Sequence, residues 1–135
     1  MIKVAAAVII KDGRIMIAKR KEEDKLGGLW EFPGGKLEEE ETIQECLKRE
    51  IREEFDGEIE VGDFITVNQH SYPHISIELY AYYAFWLKGE FKPLEHQEVK
   101  WVLPEELEAY EFAPADITIV NTLINKKIKV KDKGI

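Results

Sequence analysis

The segment from Thr42 to Phe55, TIQECLKREIREEF, reads as the best amphipathic helix of the chain, and its apolar side gives out halfway along. At about 100° per residue, Ile43 and Leu47 fall close together and mark the inward stripe, with Cys46 flanking it on one side and Ile51 and Phe55 on the other. Glu50 and Glu54 project into that stripe, Glu53 lies just beside it, and Glu45, Lys48 and Arg52 take the opposite face. A helix end that simply projects beyond the core, braced by surface pairs such as Glu45 with Arg49, accounts for the charge. It does not account for three carboxylates within one turn, whose repulsion is unfavourable unless something neutralises it. A divalent cation answers both points. Mg²⁺ prefers oxygen ligands, keeps several waters, and is held by a few carboxylates together with substrate phosphates.

Around this segment the chain reads mostly as strand. Val4 to Ile10 is an apolar run far too short for a bilayer and is closed by KDGR, which makes it a buried strand turning at Asp12-Gly13 into RIMIAKR. KEEDKLGGLW is a polar loop, and WEFPGGKL a strand and turn. EIEVGDFITVNQHSY and HISIELYAYYAFWL alternate at period two, as half-buried antiparallel strands do, and EVKWVLP adds a further strand. PEELEAY is a short helix opened by Pro104, and PADITIVNTLINKKI a terminal helix before a charged, frayed tail, KVKDKGI. Strands mixed with two main helices, without repeat or linker, predict one domain over residues 1–135, an α/β sandwich around a mixed sheet with a single core.

Composition narrows the classes of partner. With 44% apolar and 34% charged residues the chain is an ordinary globular protein, and the net charge of -8 argues against a duplex nucleic-acid footprint, which draws its affinity from Lys and Arg on phosphates. A small phosphorylated ligand fits if cations gather locally or a metal supplies the positive charge. The single cysteine, Cys46, forms no internal disulfide and reads as a small core residue. The amino terminus runs straight into patterned strand, with none of the parts of a signal peptide, so a cytoplasmic protein is expected, and aromatic, β-rich edges leave a monomer or a homodimer open.

Read from Gly35 onward, the same helix supplies a second clue. Gly35, Glu41, Arg49, Glu50, Ile51, Glu53 and Glu54 fall without a gap on the Nudix hydrolase signature, Gly-x5-Glu-x7-Arg-Glu-U-x-Glu-Glu-x-Gly-U with U a bulky apolar residue. So many fixed positions at fixed spacing resemble that family specifically. Asp56 stands at the final Gly and Gly57 at the last apolar position, and Gly57 is expected to terminate the helix one residue later. AKRKEEDKLGGLWEFPGGK and EHQEVKWVLPEELEAYEFAPADI resemble the matching segments of MutT-type nucleoside triphosphate pyrophosphohydrolases, particularly the cytidine-triphosphate-directed branch, so the resemblance covers nearly the whole chain. It implies a Nudix α/β/α sandwich that hydrolyses nucleoside triphosphates, oxidised or modified ones included, to monophosphate and pyrophosphate with Mg²⁺ or Mn²⁺. Two other readings stand beside it. A nucleotide sugar or dinucleoside polyphosphate as substrate is disfavoured by the short chain, and a non-catalytic nucleotide sensor by the three intact carboxylates.

The resemblance also assigns roles. Glu50 and Glu54 are the first metal ligands, Glu53 the next, and the Gly34 carbonyl a fourth contact, since glycines let backbone oxygen approach a metal. Arg49 holds a ligand carboxylate as a bidentate partner, and Glu41 closes the loop onto the helix. Glu95, six residues before Trp101, ranks first as general base, ahead of Glu53 and its loop neighbour Glu98, while His96 reads as structural or surface. Arg20 contacts phosphate from the end of its strand. Base recognition falls to the aromatic strand ELYAYYAFW and to Asp116, which could equally be a helix N-cap. An ionised Asp116 accepts two hydrogen bonds and suits a guanine edge, whereas cytosine offers a donor beside an acceptor and asks for a shared proton. The resemblance favours cytidine, the simple hydrogen-bond argument guanine.

Overall fold

The computed structural model describes the backbone of residues 1–133 and the side chains of residues 1–126. Strand β1 (Ile2–Lys11) turns at Asp12-Gly13 into β2 (Arg14–Lys19), and β3 (Trp30–Glu31) and β4 (Gly34–Lys36) follow the polar loop. Helix α1 (Ile43–Phe55) leads into the long hairpin of β5 (Gly57–Tyr72) and β6 (Ile75–Gly89), then β7 (Glu98–Val102). Two 3-10 turns, Pro104–Ala109 and Pro114–Asp116, precede α2 (Ile117–Lys133). The terminal helix thus opens one turn later than PADITI suggests, and its backbone continues into the segment expected to fray, while Gly134 and Ile135 lie outside the described residues.

The sheet is mixed, as the pattern predicts. Its strands run in the order β3-β2-β1-β6-β5, with β4 on β1 and β7 on β2, and only β1 with β6 is parallel. Asp12 and Gly13 both have positive φ, 52° and 75°, the twist that suits a two-residue hairpin turn. The expectation of a single core is corrected: the sheet is covered on both faces, and its alternating residues divide the buried apolar set in two. Ala6 and Val8 of β1 join Ile119, Val120 and Leu123 of α2, whereas Ala5, Ala7 and Ile9 join Leu47, Ile51 and Phe55 of α1. Period two on a strand buried from both sides makes this division unavoidable.

Helix α1 is started by Thr42, whose hydroxyl accepts from the Glu45 backbone at 3.1 Å while Glu45 Oε1 accepts from the Thr42 backbone at 2.9 Å. This reciprocal cap takes Glu45 out of the surface pair with Arg49 that a solvated helix would form. Cys46, Leu47, Ile51 and Phe55 are fully buried, and Glu50 and Glu54 sit half-buried inside the arc they bound. The helix end differs from expectation. Asp56, not Gly57, takes the left-handed conformation, with φ 53° and ψ 44°, and its N–H donates to the Arg52 carbonyl. Gly57 instead opens β5 opposite Gly89, and a Cβ there would stand 2.7 Å from the Phe91 ring. A short polar side chain tolerates the left-handed well, so the glycine is released for close packing.

The two positions therefore respond oppositely to substitution. Asp56→Gly should leave stability unchanged or raise it by up to about 1 kcal/mol. Gly57→Ala should lower it by roughly 1–3 kcal/mol through overpacking against Phe91. Urea unfolding of the two variants checks both signs.

Candidate active site

The second half of α1 faces β4 and the loop that follows it, and Arg49 joins the two. Its Nε and Nη2 donate to both Glu41 oxygens at 2.7 and 2.9 Å, Nη1 to Glu50 Oε1 at 2.8 Å, and Nη2 also to the Lys36 carbonyl at 3.1 Å. Glu38 lies 3.0 Å from Nε, and Glu53 only 3.5 Å from Nη1. The fork of hydrogen bonds from Arg49 holds the Glu41 carboxyl down at about 2, so Glu41 stays ionised and keeps the loop on the helix. Cys46 is buried beneath, with burial pushing its thiol up to about 12, as befits a packing residue.

The glycines before the helix make room at two points. A Cβ on Gly34 would stand 1.9 Å from the Ala5 carbonyl oxygen, and one on Gly35 2.4 Å from Glu50 Cδ. Gly34 lets β4 close on β1, and Gly35 lets the Glu50 carboxylate lie against the backbone. Burial raises the Glu50 carboxyl, against the pull of Arg49. Glu54 has no such cation. Burial, then the charges of Glu50, Glu31 and Glu95, push its carboxyl up to about 9, and a backbone hydrogen bond from Gly34 opposes them. Its Oε1 is buried without a hydrogen-bond partner.

An orphaned buried carboxylate oxygen, within the field of three other acids, fits a divalent cation by the chemistry of its donors. Among the described residues, no three His, Cys, Asp or Glu side chains close on one point tightly enough to hold an ion by themselves. The donor set is therefore a partial one, to be completed by backbone oxygen, water or the ligand itself, which is the usual manner of Mg²⁺.

Two adjoining cavities open beside Glu54. The first, of about 220 Å³, is walled by Phe32, Gly34, Leu79, Tyr72 and Asp116; the second, of about 310 Å³, by Lys21, Asp24, Glu95 and His96. Arg20, Glu31 and Glu54 line both and form the seam between them. Arg20 Nη1 pairs with Glu31 Oε1 at 3.1 Å and its Nε donates to the Lys25 carbonyl at 2.7 Å. His96 Nε2 donates to the other Glu31 oxygen at 2.8 Å, and the imidazole stacks on Phe55 at 5.2 Å. Its side chain is 5% exposed, so His96 is not a surface residue.

The expected site residues are thus brought together unevenly. Glu54, Gly34, Arg20, Glu95 and Asp116 line the two cavities, and Glu50, held by Arg49, lies near enough for its charge to act on Glu54, whereas Glu53 is 57% exposed and lines neither cavity. Glu98 is corrected from the loop to the first residue of β7, opposite Lys19 and beside Lys100. The N-cap reading of Asp116 is corrected as well. Asp116 closes a 3-10 turn, its Oδ2 accepts from the Phe32 N–H at 2.9 Å, and burial followed by the charge of Glu31 pushes its carboxyl up to about 8. Strand β6 lends the first cavity Ile77 and Leu79, and no ring of ELYAYYAFW lines it; the rings that do are Phe32 and Tyr72.

Two residues escape the reading by sequence. Glu31 carries a signal, since it sits between Trp30 and Phe32 in a period-two stretch and must point away from the core that both rings enter. Tyr72 carries none. It reaches the site because the hairpin end folds over the turn before α2, where its hydroxyl accepts from the Ala115 N–H at 3.1 Å.

Comparison with known proteins identifies the family. The NUDIX domain family profile matches residues 5–122. The chain is 39% identical over 124 residues to a CTP pyrophosphohydrolase of Escherichia coli, covering 92% of each chain. It is 33% identical over 127 residues to an 8-oxo-dGTP diphosphatase of Haemophilus influenzae, covering 93% of each. The solution structure of the Escherichia coli ORF135 protein superposes with a TM-score of 0.82 at 37% identity, covering 94% of this chain and 91% of that one. A profile match over most of the length and relatives this similar leave no ambiguity about descent, and the chain belongs to the Nudix family of hydrolases.

Proposed function

We propose that the protein is a cytoplasmic, Mg²⁺-dependent hydrolase of free nucleoside triphosphates, releasing nucleoside monophosphate and pyrophosphate, with cytidine nucleotides as the preferred substrates. The observation that carries this reading is the seam: Glu54, with an unpartnered buried oxygen, stands with Arg20 between an acidic cavity and a more apolar one. A triphosphate and a base, joined by a sugar, need such neighbouring compartments. The names of the relatives, CTP pyrophosphohydrolase and 8-oxo-dGTP diphosphatase, support the same class.

In this reading Glu50 and Glu54 are the ligands, with the Gly34 carbonyl completing the set and Glu53 in reserve; Mn²⁺ would serve in place of Mg²⁺. A bound ion would neutralise charge on the phosphates and polarise the attacking water. Arg49 holds Glu50 in orientation through the 2.8 Å contact. Arg20 binds a phosphate oxygen, exchanging part of its contact with Glu31. Glu95 would take a proton from the water as the water oxygen bonds to one phosphorus of the α–β bridge and that same phosphorus loses its bond to the bridging oxygen, which leaves on the other product, so that monophosphate and pyrophosphate separate. Asp116 reads the base. Its proton, retained up to about pH 8, gives the carboxyl a donor as well as an acceptor, the combination that a cytosine edge asks for. The similarity to a CTP pyrophosphohydrolase favours cytosine over guanine.

A panel of CTP, dCTP, 8-oxo-dGTP, ATP and UTP, assayed for pyrophosphate release with Mg²⁺, should give turnover that is highest with cytidine nucleotides. Glu54→Gln should lower kcat/KM by roughly 10²-fold or more, the scale of losing a principal electrostatic group. Full activity in that variant removes α1 from the mechanism, and tight binding without turnover across the panel makes the protein a sensor.

Stability in the absence of metal follows from the raised carboxyls. The folded protein holds the Glu54 proton up to about pH 9 and that of Asp116 to about pH 8, whereas the unfolded chain releases both near pH 4. Between these limits the native state binds more protons, so stability is full in mild acid and falls as pH rises towards 9. With EDTA, the melting temperature should drop over that range, Glu54→Gln should flatten the slope, and Mg²⁺ should raise the melting temperature more at pH 8.5 than at pH 6.

A further inference from the structure

Ala115 is held on both sides of its backbone by side chains of one strand. Its N–H donates to Tyr72 Oη at 3.1 Å, and its carbonyl accepts from Asn68 Nδ2 at 3.4 Å. Tyr72 and Asn68 are four residues apart on β5, beyond the last irregularity of its ladder, and so share a face. Neither contact is part of the sheet: each crosses 43 or more residues of chain to the turn before α2. Ala115 offers only a methyl group for packing, and the residue after it is Asp116, whose Oδ2 accepts from the Phe32 N–H. The Tyr72 side chain and the Asp116 carboxyl wall the same cavity.

The β5 arm is suited to act as a brace. Tyr72 pairs with Ile75 across the Pro73-His74 turn, Ser71 Oγ lies 2.9 Å from Ser76 Oγ in the preceding rung, and the ladder runs from there back to Gly57. A long hairpin in fixed register carries the position of its end rigidly, whereas a 3-10 turn of three residues has little internal means of holding its own place.

We infer that Tyr72, assisted by Asn68, is a positioning residue for base selection: its hydroxyl fixes the Ala115-Asp116 peptide so that the Asp116 carboxyl meets the base in a single setting. The inference rests on the reading of Asp116 as the base-reading group. It adds that the discrimination is set from the hairpin, through one backbone N–H, and that a phenylalanine with the same ring would not provide it. A buried polar group discriminates between bases only while it is held in register with their edge, because the wrong base must be left with an unpaired group.

CTP and UTP differ at the base edge that Asp116 would read, so the ratio of their kcat/KM values is the readout. Tyr72→Phe should compress that ratio roughly three- to tenfold, the size of one hydrogen bond, with the change falling mainly in KM for CTP. Asn68→Ala should act in the same direction. Asp116→Ala should compress the ratio at least as far, and adding Tyr72→Phe to it should change nothing more, because the hydroxyl acts through the carboxyl. A Tyr72→Phe enzyme with an unaltered ratio, or one whose effect adds in full to that of Asp116→Ala, overturns the positioning role while leaving Asp116 in place. A lowered melting temperature with the ratio intact does the same, by reducing the contact to a structural one. An unaltered ratio in Asp116→Ala, or a wild type that does not separate the two substrates, removes the reading of Asp116 itself.

Discussion

The arrangement depends most on one guanidinium. Arg49 rises from the side of α1 away from its buried arc and wraps back to the loop after β4, where it meets both oxygens of Glu41, one of Glu50 and the Lys36 carbonyl. Without it, the loop rich in glutamates and the acidic half of the helix would repel each other at close range. With it, strand, loop and helix are one unit, and the planar fork supplies directions that a lysine ammonium would not. It also sorts the carboxylates. Glu41 is ionised and committed to the fold, Glu50 is pulled down by Arg49 against the burial that raises it, and Glu54, out of reach of the cation, keeps a buried oxygen with no partner among the described residues. The acid that keeps an unpartnered oxygen is the one at the seam of the two cavities.

That unit is held to the sheet by close backbone approach. Gly34 brings β4 to within a missing Cβ of the Ala5 carbonyl, and Gly35 gives Glu50 the space it fills. The run of alanines in β1 belongs to the same requirement. Ala5 and Ala7 are wholly buried beneath the α1 side, where larger side chains would lift the helix and its carboxylates away from the sheet. Small residues in the centre of the sheet thus have a reason other than packing efficiency: they set how near the acidic arc comes to the glycine turn.

Much of this was legible in the sequence, and the parts that were not share a cause. The period of 3.6 in α1 located Glu50 and Glu54 within the buried arc, and the period of two marked the long strands β5 and β6, because each pattern is a local consequence of one element's geometry. The division of the core was not legible from length alone; it follows from α1 and α2 covering opposite faces of β1. The left-handed residue at the helix end moved to Asp56 because Gly57 was needed against Phe91, a neighbour 34 residues on that no local signal announces. Asp116 read equally well as a helix cap, and only the arrival of Phe32 from the other end of the chain decides the matter. Where a side chain's partner lies far along the chain, propensity describes what the residue could do, and tertiary contact selects.

Glu31 shows what that selection achieves. It is a single residue in a two-residue strand, yet Arg20 and His96 each hold one of its oxygens, and its charge bears on both Glu54 and Asp116. The two cavities are therefore not electrically independent. Part of the field that keeps a proton on the carboxyl in one also keeps a proton on the carboxyl in the other. Any positive charge entering beside Glu54 works against the same Glu31 carboxylate that bears on Asp116. Low dielectric around buried carboxyls lengthens the reach of such effects. A single acid at the seam thus couples the Asp116 carboxyl to the Glu54 carboxyl without any moving part.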